Sequence, residues 1–210
     1  GRAVAARAAP EPAAAPGSVW HLLADRRLLI FAGCVLLFHL CNAALLPLAG
    51  GALTMGAGDG ANLLIAACII GPQIVVALLS PAAAAGAERW GRRPVLILGF
   101  AALPLRALVF AATADPAFIV AAQLLDGVSA AAFGVLLPLI AADLTREGGH
   151  FNLCLGLAGL AVGVGATLST VLAGWIATDI TLRAAFLALA GVGLAAVAAV
   201  GFAMPETRAP

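Results

Sequence analysis

Six long apolar runs, separated by short polar breaks, set the pattern of this chain. They cover about Leu28–Ala49, Ala61–Ala85, Pro94–Thr113, Pro116–Ala141, Phe151–Ile176 and Leu182–Met204. At 1.5 Å per residue each is long enough to cross roughly 30 Å of hydrocarbon. Backbone groups have no water to bond with inside lipid, so runs of this length predict helices. The expected fold is therefore all-α and integral to a membrane, with six transmembrane helices. Residues 1–27 are rich in Ala, Pro and Arg and predict a linker or tail, with Trp20 to Arg27 as a short interfacial helix. Residues 28–204 form the bundle, and 205–210 a second tail. The first residue is Gly1, and no signal peptide precedes the first run, which reads as a piece of a longer protein or a trimmed chain.

Composition agrees with the pattern. Hydrophobic residues make up 63% of the chain and charged residues only 10%. A soluble domain averages about 25% charged and has nowhere to hide this much apolar surface. Every basic residue other than His is Arg, and Ala and Gly are abundant, a composition that suits a GC-rich bacterial genome. Cys34, Cys41, Cys68 and Cys154 all lie in apolar runs without C-x-x-C spacing. They read as small buried residues, and no metal or other cofactor is expected. Nothing in the charge pattern suggests a nucleic-acid partner.

The distribution of Arg orients the chain. Arg2, Arg7, Arg26 and Arg27 precede the first span, Arg89, Arg92 and Arg93 lie between the second and third, Arg146 follows the fourth, and Arg208 follows the sixth. The alternate loops carry Asp59, Asp115 and Asp179 with the single basic residue Arg183. Nine Arg thus fall on one side and one on the other, with Arg106 inside the third span. The positive-inside rule places both termini in the cytoplasm, here of a bacterial inner membrane.

The most concentrated polar island is Gly86-Ala87-Glu88-Arg89-Trp90-Gly91-Arg92-Arg93-Pro94, which predicts a tight, water-facing turn with a Gly at each bend. This stretch resembles the loop signature of the major facilitator superfamily, G-x-x-x-D-R-x-G-R-[RK]. Gly86, Arg89, Gly91, Arg92 and Arg93 lie on that pattern. Glu88 stands where Asp is usual, and the Gly is one residue closer to the acid. Such degeneracy fits the second of the family's two copies. Met204-Pro205-Glu206-Thr207 resembles the P-E-T that often closes the last helix. The resemblance covers about residues 28–207 and implies the second six-helix half of a twelve-helix transporter, built of inverted three-helix repeats. The other half of the same protein, a small solute, a proton and the bilayer are the partners it implies. Its mechanism would be secondary active transport by alternating access. Leu45-Leu46-Pro47-Leu48 in the first span and Leu136-Leu137-Pro138-Leu139 in the fourth fit the repeat, and each Pro predicts a bend.

Within the spans, Arg106 and Asp126 stand out, because a charge near mid-membrane costs about 2.5–3.5 kcal/mol on insertion scales. They lie at similar depth on adjacent antiparallel spans. Two readings are open: a salt bridge that fixes the helices, or an Asp126 that lines a cavity and exchanges a proton. The resemblance makes the fourth span cavity-lining and the third peripheral, which favours Asp126 as the pathway residue. His39 and Asn42, one turn apart on the first span, read as solute or proton ligands or as packing groups. Gln73 and Gln123 are neutral candidates, Gln123 as a brace for Asp126. Gly159 and Gly163 predict close packing of another helix, with a sliding contact between halves as the functional extension. Arg89, Arg92 and Arg93 read as topology determinants. By resemblance, Glu88 and Arg89 would also join a charge lock at the cytoplasmic face, with Asp143, Arg146 and Glu147 as partners.

A non-transporting six-helix interaction module is the main alternative. An embedded enzyme is disfavoured. Asp126-Gly127-x-x-Ala130 lacks the Arg that a phosphatidyl-alcohol transferase needs, with Ala131 in its place. Gly127-Val128-Ser129-Ala130 is a poor protease nucleophile motif.

Overall fold

A computed structural model describes residues 24–57, 60–146 and 150–208. The described chain is helical throughout: α1 (Arg26–Asn42), α2 (Leu45–Ala57), α3 (Ala61–Trp90), α4 (Arg92–Ala112), α5 (Pro116–Leu144), α6 (Phe151–Asp179) and α7 (Leu182–Ala198), the last running into a π-helical turn, Ala199–Ala203. Helices α1 and α2 together make the first of six spans, Arg26–Gly56. Local chemistry sets several starts. The Asp25 carboxylate accepts the Arg27 N–H at 2.7 Å, Asp115 accepts that of Ala117 at 2.8 Å, and the Thr181 hydroxyl accepts that of Ala184 at 3.0 Å. Each satisfies a donor that the first helical turn leaves unpaired. Pro116 follows Asp115 at the first helical position, where its missing N–H costs nothing.

Three features differ from the sequence pattern. Gly50-Gly51 does not end the first span, which runs on to Ala57; the chain breaks instead at Ala43–Ala44, between α1 and α2. Pro47 explains the shift, since its ring excludes the Ala43 carbonyl and it has no N–H to donate there. The charged island is not an open turn: α3 stays helical through Gly86 to Trp90, Gly91 alone makes the corner, and Arg92 already belongs to α4. Gly91 has φ +102°, a conformation that glycine alone adopts freely. Lastly, the repeat-related prolines differ: the helix is interrupted before Pro47, whereas Pro138 lies within a continuous α5. Residues 20–23 of the predicted interfacial helix, together with Asp59 and Glu147, lie outside the described residues, while Arg26 and Arg27 already belong to α1.

The packing has the symmetry of two three-helix repeats. The closest-packed pairs are α3 with α5, α1 with α6, α4 with α5, and α4 with α7. Exchanging the first three spans for the last three turns the α3–α5 pair into the α6–α1 pair and returns the α4–α7 pair to itself. Glycines allow both symmetric approaches. A Cβ on Gly127 would sit 2.5 Å from the Pro72 carbonyl oxygen, and one on Gly165 would sit 2.5 Å from that of Leu36. The core gathers around α4, the most enclosed span, with Phe38 stacked on Phe133 at a centroid distance of 4.5 Å and tilted against Phe100 at 4.9 Å. Spans α3 and α6 are mostly uncovered.

Candidate functional site

Three spans bring polar side chains together inside the bundle. Arg106 of α4 is 1% exposed. Its Nη1 lies 2.5 Å from Asp126 Oδ1 on α5, and its Nη2 donates to Asn42 Oδ1 at the end of α1. The Asp126 side chain retains 24% exposure, so one carboxylate buried against Arg106 is still open on another face. Asn42 is the last residue before the break in the first span. On the far side of that break, the Ala44 N–H donates to the buried Ser169 hydroxyl of α6 at 3.1 Å. The discontinuity is therefore held from two directions, by Arg106 and by Ser169.

The other intramembrane candidates divide. His39 lies one turn before Asn42 but joins neither Arg106 nor Asp126. Its ring packs edge-on against Phe38 and Phe133 at 5.1 and 5.2 Å, with Nε2 buried and unpartnered among the described residues. Gln123 does not brace Asp126: it is 1% exposed, and neither amide atom has a partner among the described residues. The reason is direction, since Asp126 turns to Arg106 on α4. Gln73 is exposed on α3 and stands apart from the cluster. Among the described residues no helix covers Gly159 or Gly163; the α6 glycine that receives another helix is Gly165.

A second cluster knits the arginine-rich end of the bundle. The half-turn at Gly91 offers no capping side chain, so α4 takes its cap from the far end of the chain. Glu206 accepts the Arg92 N–H at 2.8 Å through Oε1 and the Arg93 N–H at 3.0 Å through Oε2. The Thr207 and Arg208 N–H groups also donate to Oε1, at 3.1 and 3.0 Å. Burial alone would raise the Glu206 carboxyl, but the donors of Arg208, Arg92, Arg93 and Thr207 outweigh it and hold the group below the ordinary glutamate range. The buried Arg92 side chain reaches Glu88 at 2.6 Å, the Ala87 carbonyl at 3.0 Å and Asp143 of α5 at 3.0 Å. Asp143 also accepts from Arg146 at 3.0 Å. Arg92 is thus the hub of this network. Arg89, one helical step away, is exposed and pairs with nothing among the described residues. Glu206 as the cap of α4 is the contact that sequence reasoning missed.

Residues 28–210 match the profile of the Major Facilitator Superfamily. The chain belongs to this superfamily. Two Mycobacterium tuberculosis proteins, Rv2456c of strain H37Rv and MT2531 of strain CDC 1551 / Oshkosh, are each 38% identical over 197 residues, or 94% of this chain. Both are named as uncharacterized MFS-type transporters. The aligned region is 47% of their length, so the chain spans about half of the curated relatives it matches. The fold is that seen in the crystal structure of the human organic anion transporter MFSD10 (TETRAN), with a TM-score of 0.71, 22% identity, and coverage of 88% of this chain and 48% of that one. Within this superfamily's loop signature, the departure at Glu88 now has a structural counterpart. The longer acid, on the last turn of α3, meets Arg92 at the start of α4 across the Gly91 corner.

Proposed function

We propose that this chain is the C-terminal six-helix half of a secondary active transporter. In this reading a small solute crosses a bacterial inner membrane by alternating access, coupled to protons, with both termini in the cytoplasm. The observation that carries the reading is the Arg106–Asp126–Asn42 cluster. A buried cation is expensive in lipid, and here it holds a carboxylate that keeps an open face. A carboxylate so placed can accept a proton or a solute donor without first leaving its partner. The break at Ala43–Ala44 supports the reading, because backbone groups freed from the helical ladder at membrane depth are tolerated where they line a cavity or are held by side chains. The uncovered Gly159–Gly163 face of α6 suits the missing half, since small residues let a helix approach closely. The Arg92–Glu88–Asp143 network, tied to the chain's end by Glu206, would hold the cytoplasmic ends of the spans together in one of the two states.

The test compares solute accumulation in cells expressing the full-length protein, its Asp126→Asn variant, and no transporter. Asp126→Asn should abolish the difference that the wild type makes, and Asp126→Glu should restore part of it. Wild-type transport by a fully expressed Asp126→Asn protein would remove Asp126 from the pathway.

A further inference from the structure

At the end of the bundle opposite Gly91, a cavity of about 230 Å³ opens between α2, α4, α5 and α7. Its floor is Phe110, Ile119 and Phe186, all buried, with the two Phe rings edge to face at 5.4 Å. Its lining is otherwise mostly small and apolar, with Ala49 and Ala52 on the α2 side. One cation, Arg183, also lines it. That side chain is exposed and forms no ion pair or hydrogen bond among the described residues. Thr113 also lines the cavity, and its hydroxyl accepts the Asp115 N–H at 3.0 Å; Asp115 and Thr181, next along the chain, are occupied as helix caps.

Depth adds to the chemistry. Helix α4 runs 21 residues from the arginine cluster at Arg92 to this cavity, roughly 30 Å of rise, which is one hydrocarbon thickness. The cavity therefore sits at headgroup level in the leaflet opposite the arginine-rich loops. Arg183 is also the single Arg in the loops of that side, where the charge bias of insertion disfavours it. We infer that this cavity binds one phospholipid with an anionic phosphate headgroup: the phosphate pairs with Arg183, and the first acyl methylenes lie on Phe110 and Phe186. A lone unpaired guanidinium beside a largely apolar cavity favours an amphiphile whose headgroup carries net negative charge over a zwitterionic one, whose own cation competes for the phosphate. The inference does not depend on Asp126 or on the direction of transport.

The experiment uses the full-length protein, delipidated in detergent, with phosphatidylglycerol and phosphatidylcholine of matched chains as probes and native mass spectrometry as the readout. The wild type should bind one phosphatidylglycerol roughly tenfold more tightly than phosphatidylcholine, the size of one charge-assisted contact. Arg183→Gln should cancel that preference while leaving the protein folded, because the side chain is exposed. Ala52→Phe, which fills the cavity, should weaken both lipids. Unchanged preference in Arg183→Gln would overturn the inference. So would displacement of the lipid by glycerol 3-phosphate together with an unaffected Ala52→Phe variant, since that pattern describes a soluble-anion site.

Discussion

Removing either member of the Arg106–Asp126 pair should damage the protein unequally, and removing both should damage it less than the worse single change. Arg106 is 1% exposed, so Asp126→Leu strands a guanidinium in the bundle with only Asn42 beside it. Breaking a buried pair in this way costs about 3–5 kcal/mol. Arg106→Leu leaves a carboxylate that is 24% exposed and can recover hydration or take up a proton. Its cost should be smaller, about 1–3 kcal/mol. The double variant places two Leu side chains where the bridge was and leaves only Asn42 short of a partner. A double-mutant cycle on detergent-solubilised protein should then give a coupling of about 2 kcal/mol or more. Additive single effects would refute the pair as an interacting unit. Equal damage from the two single changes would refute the assignment of Arg106 as the deeper charge. The same variants separate structure from transport: the double variant should be the more stable, and it should still be inactive.

Further predictions rest on single contacts. Gly91→Ala should destabilise the arginine-rich end, because φ is +102° and the new Cβ would lie 2.5 Å from Glu206 Oε2; protease nicking near that corner is the readout. Ser169→Ala removes the acceptor of the Ala44 N–H and should cost about 1 kcal/mol, measured by thermal unfolding of the full-length protein. Glu206 is held below its ordinary value near 4.5, so its capping contribution is present above that value and lost as pH falls through the depressed one. A tail-to-α4 distance label should therefore report release of the tail only in acid, and Glu206→Gln should remove the pH dependence. The effect is modest because the side chain is largely exposed.

The spans were legible because lipid leaves few choices: an apolar run of this length has to be a helix. The ends were less legible, because helix continues through polar residues once it leaves the hydrocarbon. Gly86 to Trp90 look like a loop by charge and are helical by structure, since nothing before Gly91 interrupts the backbone ladder. The break at Ala43–Ala44 had its signal in Pro47, which acts on the residue four before it, whereas the Gly pair at 50–51 ends nothing. Spacing placed Arg106 and Asp126 at one depth on neighbouring spans. No spacing rule joins Asn42 to Arg106, because that contact depends on how α1 is rotated in the bundle. Glu206 was hidden for a similar reason. Gly91 was readable as a bend, but the acid that caps the helix after it lies 114 residues away from Arg92.

One measurement bears most directly on the claim that the Asp126 region is a pathway open to both sides of the membrane. Ala130, one turn beyond Asp126 on α5 and partly exposed, would carry the single cysteine of a full-length protein freed of its native ones. Membrane-impermeant thiol reagents would then be applied from each side in turn. Alternating access predicts labelling from both sides, with added solute slowing one rate as it speeds the other. Labelling from one side only, or no labelling from either, would contradict it.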